Sequence, residues 1–322
     1  MKQKLFTVLA GAAVLALAAC STPAGDTGGG DDGQKTLGIV AIVATDALNA
    51  QMIQGATDAA EDAGWAVNVI DAQGSLDKAN AAMVTFATTQ KTDAIVVSAF
   101  ASSSIGAGLA SATAANIPVV TWGGELVPGI VAASSALPVG YDSVNSMLED
   151  FGDTGEVLAL TYHTGILCLY RGVAFDEVIE KETGITVTHN EVAIPGQVDD
   201  GNAFTAAWLA SHPEGSGPLA IWGAWDEPAM GAIAALQSAG RTDVKVYAIN
   251  GAPNALQAIK DGTMTQIVWQ DGYAEGQELF KAAADSIEAG DAWEQKTIDI
   301  PGVVVDASTI DAFLEEHPDA LG

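Results

Sequence analysis

The chain has 322 residues, of which 41 are acidic and 12 are basic, and its formal net charge is −29. A field this negative makes nucleic acid and anionic membrane surfaces poor partners. Two cysteines are too few for a disulfide framework, and the length is sufficient for two lobes of ordinary domain size.

The start of the chain has the pattern of a secretory signal peptide. Two lysines precede the apolar run Leu5 to Leu17, and the Leu-Ala-Ala-Cys string that ends at Cys20 resembles the lipobox of bacterial lipoproteins. The apolar run is shorter than the roughly 20 residues that a membrane-spanning helix needs. We therefore expect residues 1–19 to be a signal peptide and Cys20 to be lipidated. Residues 20–35, rich in Gly, Asp and Thr, should form a flexible tether.

From Thr36 onward, short β-branched runs alternate with longer Ala-rich stretches, which is typical of βαβ units and a parallel sheet. The predicted strands of the first half are Leu37–Val43, Ala66–Ile70, Ala94–Ser98, Ile117–Trp122 and Val131–Ser134. The predicted helices between them are Asn49–Ala63, Leu76–Gln90 and Ser103–Ala115. Apolar positions in the strands are nearly continuous, which indicates a sheet covered by helices on both faces.

The same pattern starts again in the second half of the chain. The predicted strands there are Val157–Thr161, Thr186–Val192, Leu219–Trp222, Val244–Ile249 and Gln266–Trp269. The predicted helices are Gly172–Glu182, Asn202–Ser211, Glu227–Ala239, Pro253–Lys260 and Tyr273–Ala289. We expect Asp226 to cap the third of these helices and Gly240 to end it. The fold class is therefore α/β, with two Rossmann-like parallel-sheet lobes.

Tryptophans stand at or just after the ends of several predicted strands. They are Trp122, Trp222, Trp225 and Trp269. Ligands of open parallel sheets bind beyond the carboxyl ends of the strands, and two facing lobes form a cleft there. Indole rings suit the C–H faces of a sugar ring or polyol. Trp222 and Trp269 lie within apolar runs, which favours core packing, whereas Trp225 lies in a loop, which favours ligand contact.

Polar side chains occur at comparable positions. Asp46 follows the first strand, Arg171 opens a predicted helix, Asn250 follows Ile249, and Gln270 follows Trp269. Such groups give and accept paired hydrogen bonds with neighbouring hydroxyls. Each of them also has a structural explanation, because Asp after a strand is a common helix cap and Asn before Gly is a common turn.

Three strings of the chain resemble the ribose-binding-protein branch of the type I periplasmic binding proteins, the solute receptors of ABC importers. The strings are Ala115–Thr121, Trp225–Ala232 followed by Gln237–Gly240, and Asn250–Pro253. The resemblance covers residues 36–300 and implies two lobes joined by a hinge that the chain crosses three times. The expected N-terminal lobe comprises residues 36–141 and 271–297, and the expected C-terminal lobe comprises residues 142–270 and 298–322.

The resemblance also implies that ligand contacts come from both lobes. The residues expected at the site are Asp46, Leu48, Asn49, Trp122, Gly123, Arg171, Trp225, Asn250 and Gln270. Pentose binders of the family carry an Asp-Arg pair where this chain has Gly123 and Gly124, followed by Glu125, and an Asn at Trp225. We therefore expect a site that differs from a ribose site. The segment Asp142–Glu156 is several residues shorter than in the family, which predicts a stunted first helix in the second lobe.

The implied function is that of an extracytoplasmic receptor that binds a small neutral sugar or polyol and closes on it. The solute is then delivered to an ABC permease. A nucleoside, a signalling furanone or an amino acid remain alternative solutes. We expect a monomer without cofactor or metal, with no nucleic acid partner, anchored by lipid to the outer face of the cytoplasmic membrane or periplasmic.

The sequence disfavours other function classes. Its four histidines are scattered, and no His-Glu-x-x-His string, paired-cysteine motif or Gly-x-Ser-x-Gly elbow occurs, so catalysis is not expected. A transcription regulator with the same lobes would carry a basic helix-turn-helix where this chain has an apolar leader and an acidic linker. Cys168 lies among apolar residues, and we expect a buried, inert thiol.

Overall fold

The computed structural model describes residues 33–321, so the predicted signal peptide and Cys20 lie outside the described residues. The strands are β1 (Thr36–Ala41), β2 (Ala66–Asp71), β3 (Ala94–Ser98), β4 (Val119–Trp122), β5 (Ile130–Ser134), β6 (Thr154–Thr161), β7 (Gly184–Glu191), β8 (Leu219–Gly223), β9 (Val244–Asn250), β10 (Gln266–Trp269), β11 (Lys296–Ile298) and β12 (Val303–Asp306). The helices are α1 (Ala47–Asp62), α2 (Leu76–Thr85), α3 (Gly106–Ala114), α4 (Leu137–Phe151), α5 (Ile166–Ile179), α6 (Gln197–Leu209), α7 (Asp226–Ala239), α8 (Pro253–Lys260), α9 (Gly272–Ala289) and α10 (Ile310–Glu316).

These elements form two six-stranded sheets with equivalent strand orders. The first has the order β11-β5-β4-β3-β1-β2, and the second has the order β12-β10-β9-β8-β6-β7. The pairings are parallel except that β12 runs antiparallel to β10. We call the first sheet with α1, α2, α3 and α9 the first lobe, and the second sheet with the other helices the second lobe. The two parallel-sheet lobes predicted from the sequence are confirmed.

The chain passes between the sheets three times. The crossings lie between β5 and α4, between β10 and α9, and between β11 and β12. Tyr141, the expected end of the first segment, lies inside α4, which packs on the second sheet. The first crossing therefore precedes Leu137 in the structure.

The prediction of a stunted first helix in the second lobe is wrong. Helix α4 has 15 residues and buries Val139, Val144 and Met147 against the second sheet. It begins at Leu137 with Pro138 in its first turn, where proline is well tolerated. Because α4 begins at Leu137, ahead of the short segment Asp142–Glu156, it still reaches an ordinary length.

Each lobe has its own apolar core. Trp222 stacks on Phe175 at 4.5 Å between ring centroids, and Trp269 packs edge-on against Phe313 at 5.1 Å. Both indoles belong to the core of the second lobe, as their apolar flanks predicted. Within residues 33–321, none of the helices combines the length and the hydropathy needed to cross a bilayer.

Candidate ligand-binding site

A cavity of about 60 Å³ lies between the lobes, beyond the carboxyl ends of the central strands. It is lined by Ile42, Val43, Asp46, Leu48, Asn49, Ala99 and Trp122 from the first lobe and by Tyr162, Gly165, Leu167, Cys168, Arg171, Ile194, Gln197, Trp225, Glu227 and Asn250 from the second. Seven of the nine predicted site residues are on this wall, and Gly123 and Gln270 are not. A ligand role for each of them stays a prediction.

In the first lobe, the polar groups of the wall are hydrogen-bonded to one another. Asp46 caps α1, and its Oδ1 accepts from the backbone N–H and from Nδ2 of Asn49, both at 2.9 Å. Oδ1 of Asn49 accepts from the Ser98 hydroxyl at 2.8 Å, and Oγ of Ser98 accepts from the Ile42 N–H at 3.1 Å. This network fixes the start of α1 against β3 and leaves Oδ2 of Asp46 without a partner among the described residues.

In the second lobe, Arg171 is the most deeply buried charged side chain of the wall, with 1% of its surface exposed. It lies within α5, which begins at Ile166 rather than at Gly172 as predicted. Nη1 donates to the Ala224 carbonyl at 2.8 Å and Nη2 donates to Oε1 of Gln270, while Nε has no partner within residues 33–321. Burial lowers the pKa of Arg171, yet the guanidinium stays protonated at neutral pH.

Gln270 stands behind the wall and connects Arg171 to a buried acid that the sequence did not indicate. Its Nε2 donates to Oε1 of Glu275 at 3.1 Å, and the other carboxylate oxygen of Glu275 accepts from Nε1 of Trp122. Burial raises the pKa of Glu275 to about 7, against the opposing effect of these hydrogen bonds. The chain of hydrogen bonds from Arg171 to Trp122 therefore links the two lobes behind the cavity.

Asp226 is not the helix cap that the sequence predicted. The N-cap of α7 is Trp225, without a side-chain hydrogen bond, whereas Gly240 ends the helix in the left-handed conformation as expected. The buried Asp226 carboxylate accepts from the Ala252 N–H at 2.7 Å and from Nδ2 of Asn250 at 3.5 Å. Burial raises its pKa to about 7. Asp226 therefore orients Asn250, whose Oδ1 has no partner in the described part of the chain.

Three wall residues that the sequence did not indicate surround Trp225. Oε2 of Glu227 accepts from Nε1 of Trp225 at 3.2 Å and from Nε2 of Gln197 at 2.6 Å. The Tyr162 ring lies 6.2 Å from the Trp225 ring. Tyr162 directly follows β6, so the rule of strand ends could have identified it, whereas Gln197 depends on how α6 packs.

The prediction for Cys168 is wrong in one respect. The residue is half-buried and lies on the cavity wall rather than in the core. Burial raises the pKa of its thiol to about 12, so the thiol is neutral at physiological pH and a poor nucleophile. Within residues 33–321, no group of His, Cys, Asp and Glu is arranged to hold a metal ion. The wall offers hydrogen bonds and ring faces, which suit reversible binding.

Known proteins with the same organisation match almost the whole chain. A family model for the periplasmic binding protein domain matches residues 37–291. The fructose import binding protein FruE of Bifidobacterium longum is 26% identical, over 98% of both chains. The ribose import binding protein RbsB of Escherichia coli is 26% identical, over 83% of this chain and 87% of its own.

A solved structure agrees with these relatives. The solute-binding protein of an ABC transporter from Agrobacterium vitis, with bound allitol, superposes with a TM-score of 0.80 at 25% identity, covering 88% of this chain and 99% of its own. The family consists of solute-binding receptors and not of enzymes. The chain belongs to the periplasmic binding protein family, in its type I, ribose-binding-like branch.

Proposed function

We propose that this chain is an extracytoplasmic receptor of an ABC importer that binds a small neutral sugar or polyol in the cavity between its lobes. The observation that carries the proposal is the composition of the wall. It combines the ring faces of Trp122 and Trp225 with polar atoms of Arg171 and Asn250 that have no partner among the described residues. Rings of this kind suit C–H faces, and the polar atoms suit hydroxyls. Relatives named for fructose, ribose and xylitol, together with a solute-binding protein solved with bound allitol, support this class of solute.

The charges on the wall support a neutral solute. Asp46 and Glu227 face the cavity together with one cation, Arg171, whose two Nη atoms already bond to the protein. A carboxylate or phosphate solute would meet these acidic groups at close range, which is unfavourable in a closed cavity. Hydroxyl groups can donate to the carboxylates and accept from Arg171.

A panel of solutes tests the class. In a thermal-unfolding screen with sugars, polyols, nucleosides and amino acids, a sugar or polyol should stabilise the protein. A solute present at 100 times its Kd stabilises the native state by about 2.7 kcal/mol. Stabilisation by a nucleoside or an amino acid, with no response to sugars or polyols, would contradict the proposal.

We propose that closure of the lobes on the solute is the change that the permease recognises. The Ile166 N–H donates to the Ala99 carbonyl at 3.1 Å, and the Tyr170 hydroxyl donates to Glu125 at 2.8 Å, so contacts between the lobes favour a closed form. The three crossings permit rotation about a hinge. Small-angle scattering should give a smaller radius of gyration with the solute, which should be recovered intact. An unchanged scattering curve, or a hydrolysed solute, would contradict this proposal.

We further propose that the receptor is a monomer held at the membrane by lipid on Cys20. Cys20→Ala should move the protein from the membrane fraction to the soluble fraction, and Cys168→Ala is the matched control that should leave it membrane-bound. If Cys20→Ala remained as membrane-bound as Cys168→Ala, lipid on Cys20 would be ruled out as the anchor. Light scattering after gel filtration measures the molar mass in solution and so tests whether the receptor is a monomer.

A further inference from the structure

Most polar groups of the cavity wall are already hydrogen-bonded within the protein. The indole N–H groups of Trp122 and Trp225 donate to Glu275 and Glu227, so these two residues offer a solute their ring faces. The Asn49 amide is bonded at both ends, to Asp46 and Ser98. The wall therefore has fewer available polar groups than its composition suggests.

Most polar wall atoms that remain without a partner in residues 33–321 lie in the second lobe. The exception is Oδ2 of Asp46 in the first lobe, and the charge of Asp46 acts on Arg171, so it belongs to the same polar end. Nε of Arg171 and Oδ1 of Asn250 belong to the second lobe, as does the second carboxylate oxygen of Glu227. Both Arg171 and Asn250 are buried, with 1% and 6% of their surfaces exposed. A solute with hydroxyl groups on this side would complete their hydrogen bonds.

The opposite end of the cavity is apolar. Leu167 comes from α5 of the second lobe but packs into the core of the first. A Cβ at Gly123 would lie 2.4 Å from Cδ2 of Leu167, so Leu167 fills the space that a side chain at position 123 would need. Ala99 and Ile42 lie beside the start of α5 at this end. The Ala99 carbonyl accepts from the Ile166 N–H, and Cδ1 of Ile42 lies 3.8 Å from the position of a Cβ at Gly165.

Leu167 and Arg171 show how closely the two ends adjoin. They are four residues apart on α5, so their side chains lie on the same helix face, about one turn from each other. The cavity therefore changes from apolar to charged over about 6 Å. That distance is comparable to the length of a small sugar.

We propose that the solute is amphipathic, a deoxy sugar or deoxy polyol, with its hydroxyl-bearing edge against Arg171 and Asn250 and its apolar carbon end against Leu167 and Ile42. This inference rests on the proposed function and narrows its substrate class. A hydroxyl at the apolar end would lose its hydrogen bonds to water and gain none, which weakens binding about tenfold or more.

Matched pairs of sugars test the inference on the unaltered protein. Calorimetry would compare D-galactose with D-fucose and L-mannose with L-rhamnose, which share the pyranose ring and differ within each pair by one terminal hydroxyl. We expect the deoxy member to bind about tenfold or more tightly in the pairs that bind. Equal or tighter binding of the hydroxylated members would contradict the proposed preference for deoxy sugars. The proposal that the protein is a sugar receptor would be unaffected.

A substitution locates the preference in the structure. Leu167→Asn places a polar group of similar size at the apolar end and should reduce or reverse the ratio of affinities within a pair. Leu169→Asn, on the same helix but off the cavity wall, should keep the ratio. The ratio is the readout because Leu167→Asn also weakens closure, which affects both members equally. An unchanged ratio in Leu167→Asn would overturn the inference, and binding of no sugar at all would reject the proposed function with it.

Discussion

The two lobes share one sheet order but treat the polar groups at their strand ends differently. In the first lobe, Asp46, Asn49 and Ser98 are hydrogen-bonded to one another, and only Oδ2 of the half-buried Asp46 has no partner among the described residues. In the second lobe, Arg171 and Asn250 are buried with one atom each that has no partner among the described residues. An unpaired buried polar atom costs about 1–3 kcal/mol, so a solute has more to stabilise in the second lobe. The sheet topology thus determines where the two sides of the cavity lie. The hydrogen bonds already made within each side determine which side has polar atoms left for the solute.

We expect the two sides of the cavity to contribute differently to binding. The first-lobe wall is held in place by its own hydrogen bonds and offers mainly apolar contact. The second-lobe wall carries Arg171, Glu227 and most of the atoms that have no partner among the described residues, so we expect the solute to bind there first and the first lobe to close over it. The network through Gln270 and Glu275 connects the two walls and is the place to disturb first.

Glu275→Gln should have the largest effect, on the pH dependence of stability. The folded-state pKa of Glu275 is about 7, above its ordinary value of 4.5, so the native state binds this proton more tightly than the unfolded state. The associated stability is present at low pH and is lost as pH rises through about 7. Between pH 5 and pH 8 the parent should lose on the order of 2–3 kcal/mol that the variant does not lose.

Urea unfolding at the two pH values measures this difference. Glu278→Gln is the matched control, because Glu278 is exposed on the same helix and should keep the parental pH dependence. Asp226, whose pKa is also raised to about 7, contributes a similar dependence to all three proteins and does not affect the comparison. Identical pH dependence of the parent and Glu275→Gln would show that the buried acid does not titrate in this range.

Arg171→Met should have the next largest effect, on affinity. The substitution keeps most of the buried volume but removes the charged donor, and Oε1 of Gln270 loses its bond to Arg171. Loss of a hydrogen bond from a charged group costs about 1.5–3 kcal/mol. Calorimetry should therefore show that the variant binds the solute roughly 10- to 150-fold more weakly than the parent does. Arg241→Met, which removes a guanidinium paired with Asp243 off the cavity wall, should bind as the parent does. A folded Arg171→Met protein with parental affinity would remove Arg171 from the binding wall.

The sequence predicts elements well where turn residues bound them. Helix α8 has the predicted limits, since it begins at Pro253 and Gly262 follows its end. The start of α5 was placed six residues too late, because its N-cap is Gly165, which has no capping side chain. The start of α4 was missed for the same reason, as its N-cap is Ala136.

The site was predictable only in part. Asp46 and Asn250, at strand ends, lie on the cavity wall because the topology of a parallel sheet brings strand ends together, and their ligand roles stay predictions. Glu275 was missed because its burial depends on the packing of α9 against the first lobe, which a local pattern does not reveal. Leu167 was missed with the start of α5, although that residue shapes the apolar end of the cavity.

The smallest expected effect comes from a contact between the lobes that lies off the cavity wall. The Tyr170 hydroxyl in α5 donates to Oε1 of Glu125 at 2.8 Å, and Oε2 of Glu125 accepts from the Ser102 N–H at 2.9 Å. Burial alone would raise the pKa of Glu125, but these hydrogen bonds outweigh it and the pKa lies below the ordinary value. The carboxylate is therefore ionised at neutral pH, and the bond between the lobes is charge-assisted.

We expect Tyr170→Phe to remove this bond from the closed form only, since the proposed opening of the lobes would separate Tyr170 from Glu125. The loss should be about 0.5–1.5 kcal/mol, which weakens solute binding roughly 2- to 10-fold. Stopped-flow kinetics should place the change in the dissociation rate, since the open form that meets the solute is unaltered. Tyr141→Phe is the matched control, because the Tyr141 hydroxyl donates to Glu177 within the second lobe and should affect neither rate. Equal rates in both variants would mean that the Tyr170–Glu125 contact contributes nothing to closure, and that the walls of the cavity alone hold the lobes together.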